Sequence, residues 1–150
     1  MGNIGNIGNI GNIGNIGNIG NIGNIGNIGN MSDINDFKDL KIWQKGIDIA
    51  EKCYFLTKTF PKDELYGMIQ QIRRSAASIP ANIAEGYGRR YTGDYIRFLT
   101  ITQGSINELE THLILSCRVG LCDQKDVELI VDLLKEESRM LIALIKKLER

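Results

Sequence analysis

The sequence predicts an all-α protein: an up-down-up-down antiparallel four-helix bundle, preceded by a low-complexity Gly-Asn-Ile repeat. Three observations carry this. After Met31, apolar residues recur at intervals of three and four in four successive segments. Glycine or proline punctuates each junction, and no alternating strand pattern occurs. Segments of roughly 24 to 28 residues with short connections make antiparallel neighbours.

The first segment runs from about Asp36 to Thr59 and carries Leu40, Trp43, Ile47, Ala50 and Tyr54 on one stripe. Phe60-Pro61 ends it, and Pro61 and Asp63 suit the first turn of the next helix, where a missing N–H costs nothing and a carboxylate meets the positive helix end. The second segment presents Leu65, Met68, Ile69, Ile72, Ala76, Ile79 and Ile83, and Gly86 and Gly88 close it. Pro80 is its one local conflict. Inside a helix it removes a hydrogen bond to the Ala76 carbonyl, at about 3 kcal/mol unless neighbours compensate, and predicts a kink. Thr92 is the expected N-cap of a third helix bearing Tyr95, Phe98, Thr102, Ile106, Leu109 and Leu113, which Gly120 stops. Asp123 caps a fourth, with Val127, Ile130, Val131, Leu134, Leu141, Ile145 and Leu148 in near-heptad spacing.

Two compositional regions follow: 1–30, the tandem repeat, extended or disordered, and 31–150, the bundle. Met1 and Met31 both occupy the Ile phase of the repeat. Ile and Met codons differ only in the third base, so a tandem repeat of three codons with a variant at each end accounts for the pattern, and on that account Met31 is the expected native start. The structural alternative is an extended helix of three residues per turn, which lacks internal hydrogen bonds and needs neighbouring copies. Uncharged Asn-rich repeats with β-branched residues also aggregate.

All 18 Lys+Arg and all 18 Asp+Glu lie after Met31, and the net charge is zero. The body as a whole is therefore no magnet for nucleic acid or membrane, and local clusters have to carry any such role. Cys53, Cys117 and Cys122 sit within apolar stretches and read as buried free thiols in a reducing compartment. His112, Cys117 and Cys122 hint at a metal site. However, positions five apart on one helix point about 140° from each other, and no fourth ligand is near. The N-terminus has neither the basic nor the apolar region of a signal peptide, and no run is long enough to span a bilayer. The simplest localisation is cytoplasmic, with no membrane association.

Gln71 to Gly86 carries the most information. With Ile72 at the origin of a helical wheel, a second stripe falls at about 220–280° and holds Gln71, Ser78, Asn82, Glu85 and Arg89. A third side holds Arg73, Ala77, Pro80 and Ala84. A monomeric bundle needs one buried stripe and a charged outer face. Small residues beside short polar ones, without lysine, instead fit a subunit interface, against the alternative of a solvated polar stripe. Gly104 and Glu108, with Ser105, echo the pattern on the third helix. The candidate interface is thus Gln71, Ala77, Ser78, Pro80, Asn82, Ala84, Glu85, Gly104 and Glu108.

Several runs are also recognisable: Leu40-Lys41-Ile42-Trp43-Gln44-Lys45, Phe60-Pro61-Lys62-Asp63-Glu64, Gln71-Ile72-Arg73-Arg74, Ser78-Ile79-Pro80-Ala81-Asn82-Ile83-Ala84-Glu85-Gly86-Tyr87-Gly88-Arg89, and Phe98-Leu99 with Gln103-Gly104-Ser105 and Glu108. They resemble the four-helix-bundle proteins encoded in 23S ribosomal RNA intervening sequences, a superfamily shared with the accessory variability proteins of diversity-generating retroelements. The resemblance spans Phe37 to about Leu148. It implies a bundle that assembles into a ring, usually a homopentamer. For the retroelement relatives it implies binding to a reverse transcriptase and to nucleic acid; for most members it implies no known activity. The repeat departs from the family pattern.

Arg73, Arg74, Arg89, Arg90 and Arg97 are the candidate nucleic-acid-binding residues. Set against Glu85 and Asp94, five arginines leave a local charge of +3, which a five-membered ring would repeat five times. Guanidinium forks suit phosphates, and Tyr87, Tyr91 and Tyr95 interleave with them as bases could stack on aromatics. The alternative is structural pairing with Glu85, Glu108 and Glu110, Glu85–Arg89 at i,i+4 above all. A single histidine makes a catalytic triad or a two-His metal site a poor fit. Gly86-x-Gly88 lacks the third glycine and preceding strand of a dinucleotide fingerprint. The expectation is a non-enzyme without cofactor or metal, whose partners are its own copies, RNA or DNA, and a reverse transcriptase, or else a purely structural oligomeric scaffold.

Overall fold

The computed structural model describes residues 33–150. The repeat, and with it the expectations for 1–30 and for a start at Met31, lies outside those residues. Among the described residues the chain forms four long helices and no strand: α1 (Lys41–Thr57), α2 (Met68–Tyr87), α3 (Thr92–Arg118) and α4 (Gln124–Leu148). Each packs against the helices before and after it, and α4 closes back on α1. Side-chain pairs set the antiparallel register: Arg73 of α2 meets Thr57 of α1, Arg74 of α2 meets Glu108 of α3, and Ser138 of α4 meets Gln103 of α3.

The helix starts differ from expectation at three places, each for a local reason. Asp36 caps not α1 but a separate 3-10 turn, Phe37–Asp39; its carboxylate accepts from the Lys38 N–H while Asp39 accepts from the Asp36 N–H. Pro61 and Asp63 flank and fill a second 3-10 turn, Lys62–Glu64, and α2 begins only at Met68, whose N–H donates to the Glu64 carboxylate at 3.0 Å. Thr92 is already helical, and Tyr91 at the N-cap makes no side-chain cap bond. Asp123 does cap α4, in a reciprocal box with Asp126.

The core is a continuous set of aliphatic side chains from all four helices, among them Ile49, Ile72, Ile79, Ile83, Leu99, Ile106, Leu109, Leu113, Leu134 and Leu141. On α1 the buried stripe is Ile42, Ile49, Ala50 and Cys53; Ile47 and Trp43 are half-buried and Tyr54 is exposed, contrary to the expected stripe. The rotation has a cause at Gly46. A Cβ there would lie 3.2 Å from Ile79 Cγ2 and 3.3 Å from the Pro80 nitrogen, so α1 and α2 cross where neither backbone carries bulk or an N–H in the way. Pro80 is buried at this crossing, and α2 continues through it to Tyr87. Leu65, expected on the core stripe, precedes α2 and is exposed.

Candidate functional site

Both flanks of α2 are spent within the chain. On one side the Arg73 Nε donates to Thr57 Oγ1 at 2.8 Å, its guanidinium lies 4.8 Å over the Tyr54 ring, and Pro80 packs at Gly46. On the other, Gly86 admits Phe98 and Tyr95 of α3. What faces outward is a stripe of Gln70, Arg74, Ala77, Ala81, Glu85 and Gly88. This sorts the candidate interface residues. Pro80 is buried in its own chain. Gln71, Ser78, Asn82 and Ala84 are half-buried, the three polar ones hydrogen-bonded along α2 itself. Ala77, Glu85, Gly104 and Glu108 are exposed.

The neighbouring outer face of α3 continues the stripe. Ile101, Ile114, Leu115 and Val119 are exposed among Thr100, Gly104, Asn107 and Thr111. The two threonine hydroxyls donate to carbonyls of their own helix, which removes them from contact with water as free donors. Arg74 and Glu108, 3.5 Å apart, bridge the two helices across this face. A Cβ on Gly104 would meet nothing within 4 Å. The face is apolar or uncharged over most of its length, and its interhelical ion pair, Arg74 with Glu108, is neutral overall.

The five arginines do not form one patch. Arg73 and Arg74 lie near the start of α2, and Arg89 follows its end, some 22 Å away at 1.5 Å per residue. Arg89 pairs with Glu85 and stacks 4.7 Å over Phe98. Arg90 lies 5.7 Å over the ring of Tyr91. Arg97 is exposed and has no partner among the described residues. At this α2–α3 corner, Arg89, Arg90 and Arg97 against Glu85 and Asp94 leave a charge of +1, not +3. The tyrosines divide likewise. Tyr87 and Tyr95 pack edge to face, centroids 6.3 Å apart, and burial followed by the neighbouring Tyr87 pushes the Tyr95 phenol up to about 12. Only Tyr91, 65% exposed, is available for stacking.

One cluster escaped the sequence reading. Lys45 of α1, 2% exposed, donates to Glu136 of α4 at 2.6 Å. Beside it Glu137 is wholly buried, and neither carboxyl oxygen has a hydrogen-bond partner among the described residues. Burial holds its carboxyl well above the usual carboxylate range, against the opposing pull of the Lys45 ammonium. The signal was in the spacing: residue 137 stands three after Leu134 and four before Leu141, and residue 45 stands three after Ile42 and four before Ile49. Their charged identities masked core positions.

Among the described residues, no three His, Cys, Asp or Glu side chains converge as a metal site, and no helix is long and apolar enough to cross a membrane. His112 pairs with Glu108 at 3.4 Å instead. The fold and its outer face thus define a small antiparallel helical-bundle protein. More specifically, the chain belongs to the 23S rRNA-intervening sequence protein family, whose model matches residues 38–143. It is also similar to a protein of unknown function from the S23 ribosomal protein family of Bacteroides thetaiotaomicron, solved by crystallography at 1.70 Å. The TM-score is 0.63 and the identity 29%, over 70% of this chain and 98% of that one. No curated protein matches. Neither the family nor the neighbour names a reaction.

Proposed function

We propose that the protein is a non-enzymatic, self-assembling helical bundle: a homopentameric ring built through the outer face of α2 and α3, with the α2–α3 corner binding nucleic acid. The observation that carries the assembly is the composition of that face. Ala77, Ala81 and Gly104 allow close backbone approach, and the exposed Ile101, Leu115 and Val119 supply apolar area that a lone bundle leaves in water. The ring number and a reverse transcriptase as protein partner rest on the family resemblance.

Ala77→Glu tests the interface cleanly, because Ala77 is exposed in the single chain and the substitution breaks no intrachain packing. Light scattering coupled to size exclusion is expected to give a pentamer mass for the parent chain and a monomer or dimer mass for the variant, with unchanged helical circular dichroism. A buried unpaired carboxylate costs several kcal/mol per interface. A parent chain that runs as a monomer at micromolar concentration refutes the proposal.

Nucleic-acid binding rests on Arg90 and Arg97, the corner's exposed arginines outside the Glu85–Arg89 pair, and on the exposed Tyr91 ring. Phosphate neutralisation releases counterions, so affinity for duplex DNA falls with a log–log salt slope of about −0.9 per phosphate contact. Replacing Arg90 and Arg97 by alanine is expected to shallow that slope by about 2 per subunit engaged, with the oligomer mass unchanged. Undetectable binding at ~50 mM salt would leave the purely structural scaffold. One observation favours that second reading: Arg73, Arg74 and Arg89 already pair within the chain.

A further inference from the structure

On one continuous helix Cys117 and Cys122 would point about 140° from each other, but the chain turns between them. Val119 follows α3 as its C-cap, Gly120 takes a φ of 81°, and two reverse hydrogen bonds close the turn: Gly120 N–H to the Cys117 carbonyl at 3.2 Å and Leu121 N–H to the Ser116 carbonyl at 2.9 Å. This is a Schellman closure, in which the left-handed residue reverses the chain and is cheapest as glycine. It lays Cys122, the residue before the Asp123 cap of α4, back against the last turn of α3. The two sulfurs are 3.7 Å apart, in contact, and both side chains are only half-buried. Cys53, by contrast, is fully buried in the core.

We propose that Cys117 and Cys122 form a site of reversible intrachain disulfide formation, closed by exchange with a low-molecular-weight disulfide such as oxidised glutathione. The Cys117 thiolate attacks one sulfur of the small disulfide, forming a mixed disulfide and releasing one small thiolate. The Cys122 sulfur, giving up its proton to solvent, then attacks Cys117 and displaces the second. Two protein thiols are oxidised and one small disulfide is reduced to two thiols, so electrons and protons balance. Either cysteine can open the exchange and the other then resolves it, because both side chains are half-buried and their sulfurs are in contact. Burial first, then the hydrogen bond with Cys117 and the neighbouring charges, push the Cys122 thiol up. Burial likewise pushes Cys53 up to about 12, which makes it an internal control. The product bond would tie the last turn of α3 to the start of α4, at the end of the bundle remote from the arginine corner.

The full chain is equilibrated in glutathione buffers of graded redox poise, quenched in acid, alkylated and digested with trypsin. Cleavage after Arg97, Arg118 and Lys125 puts the two cysteines on separate peptides, 98–118 and 119–125, so the disulfide appears as a linked pair that reduction separates. The native chain is expected to form this pair with an equilibrium constant about tenfold or more above that of the urea-unfolded chain, because the turn presets the contact. In Cys122→Ser, Cys117 is expected to stop at a stable glutathione adduct. A native constant no greater than the unfolded one overturns the inference. So does a Cys122→Ser chain in which Cys117 takes no adduct, or a native chain in which both cysteines accumulate only as separate adducts.

Discussion

Replacing Glu137 by methionine is expected to stabilise the bundle at pH 7 by about 1–4 kcal/mol, the range seen when buried ionic groups give way to apolar ones of similar volume. Glu137 is wholly buried with both oxygens unpartnered, and Lys45 keeps its 2.6 Å bond to Glu136 in the variant. The pH dependence gives a second readout. Burial raises the folded-state pKa of Glu137 above its unfolded value. Between those two values the folded chain holds a proton that the unfolded chain has lost, so the slope of stability against pH from this group is negative. Its contribution is therefore most favourable below the ordinary carboxylate range and is lost as pH rises toward the raised folded value. The difference between parent and variant should be smallest at low pH and grow through that window; other carboxylates are common to both and cancel. Urea melts of both proteins across pH 4 to 8 check it. A variant less stable than the parent at pH 7 would mean that the carboxylate is held by partners in the assembled protein.

Gly86→Ala is expected to destabilise the chain by about 1–3 kcal/mol, although alanine is the better helix former by nearly 1 kcal/mol. The added Cβ would lie 2.7 Å from Phe98 Cβ and 3.0 Å from Tyr95 Cδ2. The first of these is anchored directly to the α3 backbone, so the helices must separate. That in turn loosens the ring stacked under Arg89 and the Tyr87–Tyr95 pair. Thermal melting should show a fall of several degrees, roughly 2–8 °C per kcal/mol at this size. The control is Gly93→Ala near the start of α3, where a Cβ meets nothing within 4 Å. A Gly86→Ala chain as stable as Gly93→Ala would show that the α2–α3 crossing yields more readily than its anchored contacts imply.

The arginine surface shows where linear reading reaches its limit. Five arginines within a short stretch sum to a cluster on paper, but helix α2 carries Arg73 and Arg74 to one end and Arg89 to the other, and neighbouring helices supply Thr57 and Glu108 as their partners. The Pro80 side reads as a spare interface because most of its residues are small, but Gly46 of α1 already packs against Pro80 there.

Residue order alone determined the class of fold, the number of helices and most of the core. Apolar spacing and glycine or proline breaks are local properties, and the Asp123 box and the Gly120 stop are read from neighbours within a few residues. Tertiary structure decided which flank of each helix is spent on another. It buried Lys45 and Glu137 on core positions, packed Tyr87 against Tyr95, gave Arg73, Arg74 and Arg89 partners within the chain, and left Ala77, Gly104 and Leu115 outside. Only the reversal at Gly120 brought Cys122 to Cys117. The physical reason is the same throughout. Periodicity says which side of a helix is apolar, whereas burial, charge pairing and sulfur contact depend on which other helix stands beside it and at what register.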